Sequence, residues 1–417
     1  MASGKAVDNV YNVTIPSPAK KLRELYYMAH FIHSHAAHFY ALGAPDFVVG
    51  PDAPKAKRNV LGLIEKVGLE TGREVIRQRA ISQDIQIIVG GRATHPVWNI
   101  PGGVAKALTP EEREKLRPMA QDQLLFGELG LKIFADVVLK NEAYMDLVLG
   151  DGYELVTNYM GLVDQNNHVT FYDGRVRVVD TMGEEILTYT EPEYLDHIAE
   201  HVEPYSYLKY PYLKARGWHG FQEGQGTSIY QAAPLARLNA ADGMATPRAN
   251  EEFQKMFDTL GGKPSHKLMV HHWARLIELL YAAERLIELV EDDEIIDPNV
   301  RVIPSTTPNE GVGIIEAPRG TLTHHFKTDE NGIVTEANLI VGTTNNNAPI
   351  SMAVKKAAQK FIGKGGEVTD GLLNMVEMAF RLFDPCFSCA THSLPGQMPL
   401  VVEIRNEEGE LLNAVSR

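Results

Sequence analysis

The sequence predicts an α+β fold that is predominantly α, with a core of long helices and small β-rich segments. In the first 150 residues, apolar side chains recur at steps of three and four residues, which is the period of amphipathic helices. In the middle of the chain and again near residues 321–341, β-branched residues flank short turn motifs, which indicates strands. No internal repeat or low-complexity tract interrupts the pattern, so we expect the helices to share one core.

Three long helical segments are predicted in the first part of the chain. The first covers residues 18–42 and ends at a turn over 43–46, and the second covers 54–89 and stops at a pair of glycines. Prolines and glycines make 93–104 an ordered loop. The third covers 109–149 and begins with a threonine N-cap, a proline and two acidic residues.

The middle of the chain favours strands, and the remainder mixes strands with helices. Residues 169–172 and 175–179 flank an Asp-Gly pair and predict a β-hairpin. An aromatic-rich, irregular stretch follows over 204–230. The later elements are expected to be helices near 250–260, 265–290 and 367–382, and strands at 321–325 and 335–341 around an Asn-Gly turn.

These patterns divide the chain into five regions. They are a long-helix region with a glycine-rich loop at 1–150, a β-rich and irregular insertion at 151–230, a helical region at 231–300, a β-containing segment with a helix at 301–392, and a C-terminal peptide at 393–417. No flexible linker is evident between them, which agrees with a shared core.

Composition limits the class of protein. The 417 residues allow one large domain or two to three smaller ones. With 40 Lys and Arg against 54 Asp and Glu, the net charge of −14 opposes binding to nucleic acid and anionic lipid. No uncharged apolar stretch reaches the ~20 residues that cross a bilayer, and the first eight residues lack the apolar segment of a secretory signal. We therefore expect a cytoplasmic protein that binds neither nucleic acid nor membrane.

The most specific segment is Asp-Pro-Cys-Phe-Ser-Cys-Ala-Thr-His at residues 384–392. Its Cys386 and Cys389 are the only cysteines in the sequence, which argues against a secreted disulfide framework. Two thiols at this spacing can bind a soft metal, close into a redox disulfide or be inert. A tetrahedral zinc or an iron–sulfur cubane needs four ligands, so a metal site here is incomplete or uses other residue types.

This segment resembles the C-terminal metal-binding motif of nickel–iron hydrogenase large subunits. Other segments resemble further motifs of that family in the same order, so the resemblance covers essentially the whole chain and implies the large-subunit fold. They are Ser34-His35-Ala36-Ala37-His38-Phe39-Tyr40 with Pro45-Asp46-Phe47, Gly90-Gly91-Arg92-Ala93-Thr94-His95-Pro96 with Pro101-Gly102-Gly103-Val104, Pro234-Leu235-Ala236-Arg237-Leu238-Asn239, Glu316-Ala317-Pro318-Arg319-Gly320 and Val341-Gly342-Thr343-Thr344-Asn345-Asn346. The cytoplasmic, cofactor-coupled branch fits best, especially the viologen-reducing, deazaflavin-non-reducing hydrogenases associated with heterodisulfide reductase.

The resemblance implies a nickel–iron centre held by four thiolates, with carbon monoxide and cyanide on the iron. Cys386 resembles the C-terminal terminal ligand of nickel, and Cys389 resembles the C-terminal bridging ligand; thiolates suit both roles because they bind soft metals strongly. His392 resembles a magnesium ligand and the last residue that remains after a maturation protease removes the C-terminal peptide. We assign no metal role to the histidines of the first helix, since a buried histidine with a satisfied ring is the commoner case.

The resemblance also assigns side chains around the metals. Arg319 resembles an arginine suspended over their open face, where a guanidinium polarises dihydrogen or stabilises developing charge; the alternative is an exposed, salt-bridging arginine. Asp384 and Asp46 resemble acids that orient this arginine, and the alternative for Asp46 is an Asx turn. The residues expected beside the diatomic ligands of the iron are Pro318, Thr343 and Thr344. One threonine hydroxyl would donate to a cyanide, unless the pair simply ends a strand.

Both ends of the sequence depart from the mature family pattern. Residues 393–417 follow His392, so we expect an unprocessed precursor in which residues 400–404 form a strand. The family's first Arg-x-Cys-x-x-Cys would precede residues 2–8, so two of the four thiolates are missing and this chain alone is expected to bind nickel poorly. Truncation is the simplest explanation, and a split subunit or loss of the ligands are the alternatives.

We interpret the chain as the catalytic large subunit of a nickel–iron hydrogenase, which cleaves dihydrogen heterolytically and reversibly. With no cysteine left for a cluster, the electrons need an iron–sulfur small subunit. The resemblance implies further electron-transfer subunits, nickel chaperones and a maturation protease. The competing hypothesis is a metal-free scaffold, like the respiratory complex I subunit that resembles hydrogenase large subunits; retention of Cys386, Cys389, Arg319 and Asp384 argues against it.

Overall fold

Helices dominate the larger of two compact units. The computed structural model describes residues 1–54, 56–362, 368–386, 401–406 and 408–416, and the units are Met1–Asp384 and Pro385–Arg417. The α-helices are α1 (Ala2–Val10), α2 (Ser17–Ala36), α3 (Ala44–Val48), α4 (Val60–Val67), α5 (Leu69–Gly90), α6 (Pro110–Phe134), α7 (Glu142–Leu149), α8 (Tyr194–His197), α9 (Pro234–Ala240), α10 (Pro247–Thr259), α11 (His271–Glu291), α12 (Gly342–Asn345), α13 (Asn347–Phe361) and α14 (Asp370–Arg381). A predominantly α fold is confirmed.

The helical core of the first unit is centred on α11. This helix is buried along most of its length and packs against α2, α6, α9 and α10. α2 continues through a wider, π-helical stretch at Ala37–Gly43 directly into α3. The turn expected at 43–46 is therefore wrong, because Pro45 lies in the first turn of α3, where a proline needs no backbone N–H.

Two further helix predictions are confirmed in part. The predicted second helix is split into α4 and α5 at Gly68, whose φ of 89° breaks the helical winding. Thr109 caps α6 as expected, since its hydroxyl accepts from the Glu112 N–H in a capping box. The third segment does not stay regular, because a π-helical stretch at Ala135–Leu139 separates α6 from α7.

The strands of the first unit form several small sheets. They are β1 (Asn99–Ile100), β2 (Gly103–Val104), β3 (Asn158–Val163), β4 (His168–Val169), β5 (Arg175–Val179), β6 (Glu185–Tyr189), β7 (Ile198–Val202), β8 (Lys209–Leu213), β9 (Tyr230–Gln231), β10 (Gly243–Met244), β11 (Glu310–Ala317), β12 (Gly320–Thr328) and β13 (Val334–Ile340). The largest sheet has the order β10-β4-β3-β5-β6, with β9 also pairing with β3. The predicted hairpin between 169–172 and 175–179 is wrong, because the fully buried β3 lies between β4 and β5 and pairs antiparallel with both.

Strands β11, β12 and β13 form a three-stranded antiparallel sheet, and its first turn carries two predicted site residues. Ala317 pairs with Gly320, so the two residues Pro318 and Arg319 form the tip of the β11–β12 hairpin. The strands expected at 321–325 and 335–341 are confirmed as β12 and β13, while β11 and α13 were not predicted as separate elements.

In the second unit, β14 (Val401–Arg405) and β15 (Leu411–Ser416) pair antiparallel. The strand expected at 400–404 is thus confirmed from residue 401 onward, and residue 400 lies outside the described residues. Across the described part of both units, no helix combines the length and apolar character needed to cross a bilayer. The finer division of the sequence into five regions stays a prediction.

Candidate active site

Arg319 and Asp384 are far apart in sequence and in contact in the structure. Arg319 lies at the tip of the β11–β12 hairpin, and Asp384 lies just beyond the end of α14. The guanidinium Nε of Arg319 donates to the backbone carbonyl of Asp384 at 2.6 Å, and Nη2 donates to Oδ1 at 3.3 Å. The structure therefore brings together these two predicted site residues.

The backbone conformation of Asp384 and the burial of its carboxyl group both cost free energy. Its backbone has a φ of 53°, which is uncommon for a residue with a Cβ and stores strain. Its side chain is only 2% exposed, and Oδ2 has no hydrogen-bond partner among the residues that the structure describes. Burial raises the pKa of this carboxyl above its usual value, although Arg319 and Arg275 oppose the shift. Strain together with an unsatisfied buried oxygen is typical of a functional site.

Arg275 is a site residue that the sequence analysis missed. It lies fully buried on α11, and its Nη2 donates to the backbone carbonyl of Leu382 at 3.0 Å, beside Asp384. Burial lowers the pKa of Arg275 to about 10, against the opposing fields of Asp384 and Glu278. A charged residue inside the apolar stretch at 271–290 is the signal that could have found it, since a fully buried arginine needs a specific reason.

Asp46 does not orient Arg319. Its Oδ2 pairs with Nη1 of Arg381, and its Oδ1 accepts from Nδ2 of Asn374 at 3.1 Å. The expected contact with Arg319 is therefore wrong, because α14 brings Arg381 to the buried carboxylate instead. The alternative of an Asx turn is not found either, since Asp46 lies within the first turn of α3 and its carboxylate caps no nearby backbone N–H.

Two stacked histidines lie next to this second pair. His38 Nε2–H donates to the backbone carbonyl of Arg381 at 2.7 Å, and the rings of His38 and His272 stack with centroids 5.7 Å apart. Burial lowers the pKa of His272 to about 3 and holds that of His38 well below its usual value, so both rings are neutral. Both rings lie buried in the core of the first unit.

An apolar cavity reaches His272 from the surface of the first unit. It has a volume of about 400 Å³ and lies between the end of α2, α3, α4 and α5. Phe39, Phe47 and Phe134 are among its walls. A cavity of this chemistry admits small apolar molecules and offers little to ions.

The remaining predicted residues of the first unit lie near the same hairpin. Pro318 is buried at its tip. Thr343 and Thr344 lie in the short helix α12, after the end of β13, and are half-buried. Neither threonine hydroxyl has a hydrogen-bond partner in the described part of the chain, so both are available to a ligand.

Cys386 belongs to the second unit and is disulfide-bonded. The predicted residues Cys389 and His392 lie outside the described residues. In the ranges that are described, no cluster of three or more His, Cys, Asp and Glu side chains is placed to hold a metal ion. Among the described residues of the second unit, Cys386 would offer a thiolate once reduced, which is a donor that suits a soft metal such as nickel.

Comparison with known proteins identifies relatives along nearly the whole chain. A model of the family described as nickel-dependent hydrogenase matches residues 1–71 and 160–392. The chain is 51% identical over 414 residues to an iron-sulfur subunit of the F420-non-reducing hydrogenase of Archaeoglobus profundus, covering 99% of this chain and 85% of that protein. It is 35% identical to the beta subunit of the NAD-reducing hydrogenase HoxS of Cupriavidus necator, covering 100% of this chain and 86% of that protein.

Solved structures give the same result. A crystal structure of an NAD⁺-reducing nickel–iron hydrogenase in the H2-reduced state superposes with a TM-score of 0.85 at 35% identity, covering 94% of this chain and 84% of that one. The Ni-Fe-Se hydrogenase of D. vulgaris Hildenborough superposes with a TM-score of 0.65 at 22% identity, covering 94% and 85%. The second likeness supports the fold alone.

Proposed function

Because this chain belongs to the nickel-dependent hydrogenase family, we propose that Arg319 acts directly at its site of dihydrogen cleavage and that Asp384 orients Arg319 there. The chain is a catalytic large subunit of a nickel–iron hydrogenase, an oxidoreductase that acts on dihydrogen, and it has the large-subunit fold. Family membership implies a nickel–iron centre and further subunits in a complex. The Arg319–Asp384 contact, with hydrogen-bonding capacity left over on both side chains, is the observation that carries the proposal.

Arg319 would stabilise the charge that develops when dihydrogen is split. Its Nε and Nη2 are occupied by Asp384, which fixes the plane of the guanidinium, and within the described ranges of the chain Nη1 makes no hydrogen bond. A preoriented cation in a partly desolvated place needs no reorganisation during the reaction, which is where such groups contribute most. Asp384 would act by orienting Arg319. When bound, the nickel–iron centre supplies the site at which the H–H bond breaks heterolytically.

The metal centre would be held by sulfur ligands of the second unit. Cys386 and Cys389 would hold the centre, because thiolates suit nickel and low-spin iron. Pro318, Thr343 and Thr344 would accommodate the carbon monoxide and cyanide ligands of the iron, and the lack of partners for both threonine hydroxyls within the described residues supports a donor role. A magnesium ion would bind at His392.

The apolar cavity supports the choice of substrate. Dihydrogen is small and apolar, and a cavity of about 400 Å³ with aromatic and aliphatic walls offers it a path inward to His272. Ions and larger polar substrates would lose hydration there without compensation.

The relatives suggest the cellular context of the complex. The similarity to F420-non-reducing hydrogenases favours the viologen-reducing branch associated with heterodisulfide reductase. The partners would be an iron–sulfur small subunit, further electron-transfer subunits, nickel chaperones and a maturation protease that cleaves after His392. A cytoplasmic location stays a prediction from composition.

Replacement of Arg319 by lysine tests the proposal in the purified complex. Arg319→Lys keeps the charge and loses the planar fork that engages Asp384, so dihydrogen oxidation with a viologen dye should fall about 100-fold or more at unchanged nickel content. Arg381→Lys is the matched control, because Arg381 also pairs with an aspartate, Asp46. Its activity should stay within about threefold of wild type, since it touches no reacting group. Equal activity of Arg319→Lys and wild type would overturn the proposal.

A further inference from the structure

Arg237, from one of the motifs noted in the sequence, uses every N–H of its guanidinium. Its Nε and Nη2 donate to the two carboxylate oxygens of Glu278, each at 2.6 Å, and Nη1 donates to Oε2 of Glu316 at 3.0 Å. The remaining two N–H groups donate to the backbone carbonyls of Ala317 at 2.8 Å and Pro318 at 3.3 Å. Since an arginine has five N–H donors, none is left over.

The carbonyl of the next residue is held as well. Asn346 Nδ2 donates to the backbone carbonyl of Arg319 at 2.9 Å and to that of Gly342 at 3.0 Å, while its Oδ1 accepts from the Ala232 N–H at 2.9 Å. Three consecutive carbonyls, those of residues 317–319, therefore accept hydrogen bonds from buried side chains. Arg237 and Asn346 are both 0% exposed, so the donor side chains themselves are not exchanging these hydrogen bonds with bulk water.

The two glutamates that hold Arg237 are themselves fixed. Glu278 accepts from His35 Nε2 at 2.8 Å, and Glu316 Oε1 accepts from the Leu162 N–H at 2.7 Å and the Thr321 hydroxyl at 3.0 Å. Glu278 and Glu316 side chains are completely buried. A guanidinium with all donors used and immobile acceptors has a single orientation, which makes it a rigid support for the hairpin turn.

We propose that Arg237 and Asn346 are positioning residues that act on the reaction only through Arg319. They hold the main chain of the hairpin tip at residues 317–319, and this places the Arg319 guanidinium against Asp384. Neither touches the reacting atoms. The inference rests on the proposed role of Arg319 and adds to it the support on which that role depends.

Arg237→Lys is the first test, in the purified complex. One ammonium with three donors cannot serve two glutamates and two carbonyls, so the turn should loosen. Amide hydrogen exchange in a peptide spanning 316–323 should become at least about tenfold faster, because local opening costs less free energy. The kcat for dihydrogen oxidation should fall roughly 10- to 100-fold at unchanged nickel content, as expected for a displaced reacting group.

Arg113→Lys is the matched control. Arg113 is also buried and also holds two backbone carbonyls, those of Val290 at 2.7 Å and Glu291 at 2.8 Å. It makes no contact with the hairpin turn. The lysine variant should lose comparable hydrogen bonds and leave both the exchange of 316–323 and kcat unchanged.

The double variant with Arg319→Lys separates positioning from general stability. If Arg237 acts only through Arg319, adding Arg237→Lys to Arg319→Lys lowers kcat no further. A loss that multiplies in both backgrounds would overturn the inference. Failure of the proposed function is distinguishable, because Arg319→Lys alone would then keep full kcat while the exchange of 316–323 still responds to Arg237→Lys.

Asn346→Asp repeats the test if Arg237→Lys does not accumulate. The substitution keeps the shape and replaces the donor that faces the carbonyls of Arg319 and Gly342 by an acceptor, so exchange at 316–323 should rise. Asn158→Asp is its control, because Asn158 Nδ2 is buried and donates to two other carbonyls, those of Thr227 and Ile229. Unchanged exchange at 316–323 in Asn346→Asp would contradict the inference.

Discussion

Two arginine–aspartate pairs of the first unit have the same chemistry and different surroundings. In the Arg381–Asp46 pair, both carboxylate oxygens are occupied, one by Arg381 and one by Asn374. In the Arg319–Asp384 pair, neither Oδ2 of Asp384 nor Nη1 of Arg319 has a partner in the part of the chain that the structure describes, and the Asp384 backbone is strained. The saturated pair ties α14 to α3, whereas the unsaturated pair keeps hydrogen-bonding capacity for a ligand.

The two pairs differ in the hydrogen-bonding capacity that remains on their side chains, and this difference separates a structural pair from a candidate functional one. A buried carboxylate oxygen without a donor costs free energy, so the open Oδ2 makes the Arg319–Asp384 pair the better candidate for contact with a ligand. Asp46 and Asp384 are both buried acids with an arginine partner, and residue type alone does not separate them. The hydrogen bonds that Asp46 and Asp384 make are what separates them. Substitutions in the two pairs should therefore differ in their effects on activity and on stability.

Asp384→Asn should show the largest difference between the pairs. The amide keeps the size of the side chain and weakens its hold on the Arg319 guanidinium, so dihydrogen oxidation by the purified complex should fall roughly 10- to 100-fold. Asp46→Asn should stay within a few fold of wild type in the same dye assay. Equal losses in the two variants would break the comparison.

The free energy of unfolding should be lowered more by Asp46→Asn than by Asp384→Asn, which is the reverse of their order in activity. Asp46→Asn removes the buried one of the two carboxylates that pair with Arg381, the other being Glu377, and this should lower the free energy of unfolding by roughly 1–3 kcal/mol. Asp384→Asn should cost less, because burial already raises the pKa of Asp384 and a neutral amide is easier to bury than a carboxylate. Denaturant titration of both variants beside wild type measures the difference, and a larger cost for Asp384→Asn would contradict it.

The smallest expected effect concerns a third arginine–carboxylate contact, between Arg237 and Glu316. Burial raises the pKa of Glu316 from 4.5 to about 7, although Arg237, the Leu162 N–H and the Thr321 hydroxyl oppose the shift. Between these values the folded state holds a proton that the unfolded state has released, so the stability from this group falls as pH rises to about 7 and then levels off.

Glu316→Gln should remove this slope. Glu278, which shares the same arginine, has its pKa lowered by Arg237 and His35 and should keep its charge throughout this range. Thermal midpoints of wild type and Glu316→Gln measured from pH 4.5 to 8 should therefore diverge with a pH-dependent difference. A constant difference would exclude Glu316 as the titrating group.

Local patterns allowed most of the long helices, and the two strands around the Asn-Gly turn, to be predicted from the sequence. The threonine cap of α6 and the strands β12 and β13 depend on neighbours in the chain, and their positions are confirmed. Because these patterns are local, they fail where the structure joins segments that are distant in sequence. The insertion of β3 between β4 and β5 joins segments distant in sequence, and a turn motif carries no information about it.

The candidate site was likewise predicted only in part. Arg319 and Asp384 are in contact, as the resemblance of their motifs implied. Arg319 lies at the turn between β11 and β12, and Asp384 lies just after α14. Asp46 could not be paired correctly, since its partner Arg381 is set by the docking of α14. Arg275 was missed because nothing in its local sequence shows that α11 carries it to Leu382 and Asp384.

Isotope exchange between D2 gas and water tests the role of Arg319 most directly, because it reports cleavage of dihydrogen without electron transfer to a partner. Complexes with Arg319→Lys and Arg381→Lys should be compared at equal nickel content by membrane-inlet mass spectrometry. We expect exchange to fall about 100-fold in Arg319→Lys, in step with dye reduction, and to stay near wild type in Arg381→Lys. Exchange at the wild-type rate in Arg319→Lys would contradict a direct role of this arginine in splitting dihydrogen.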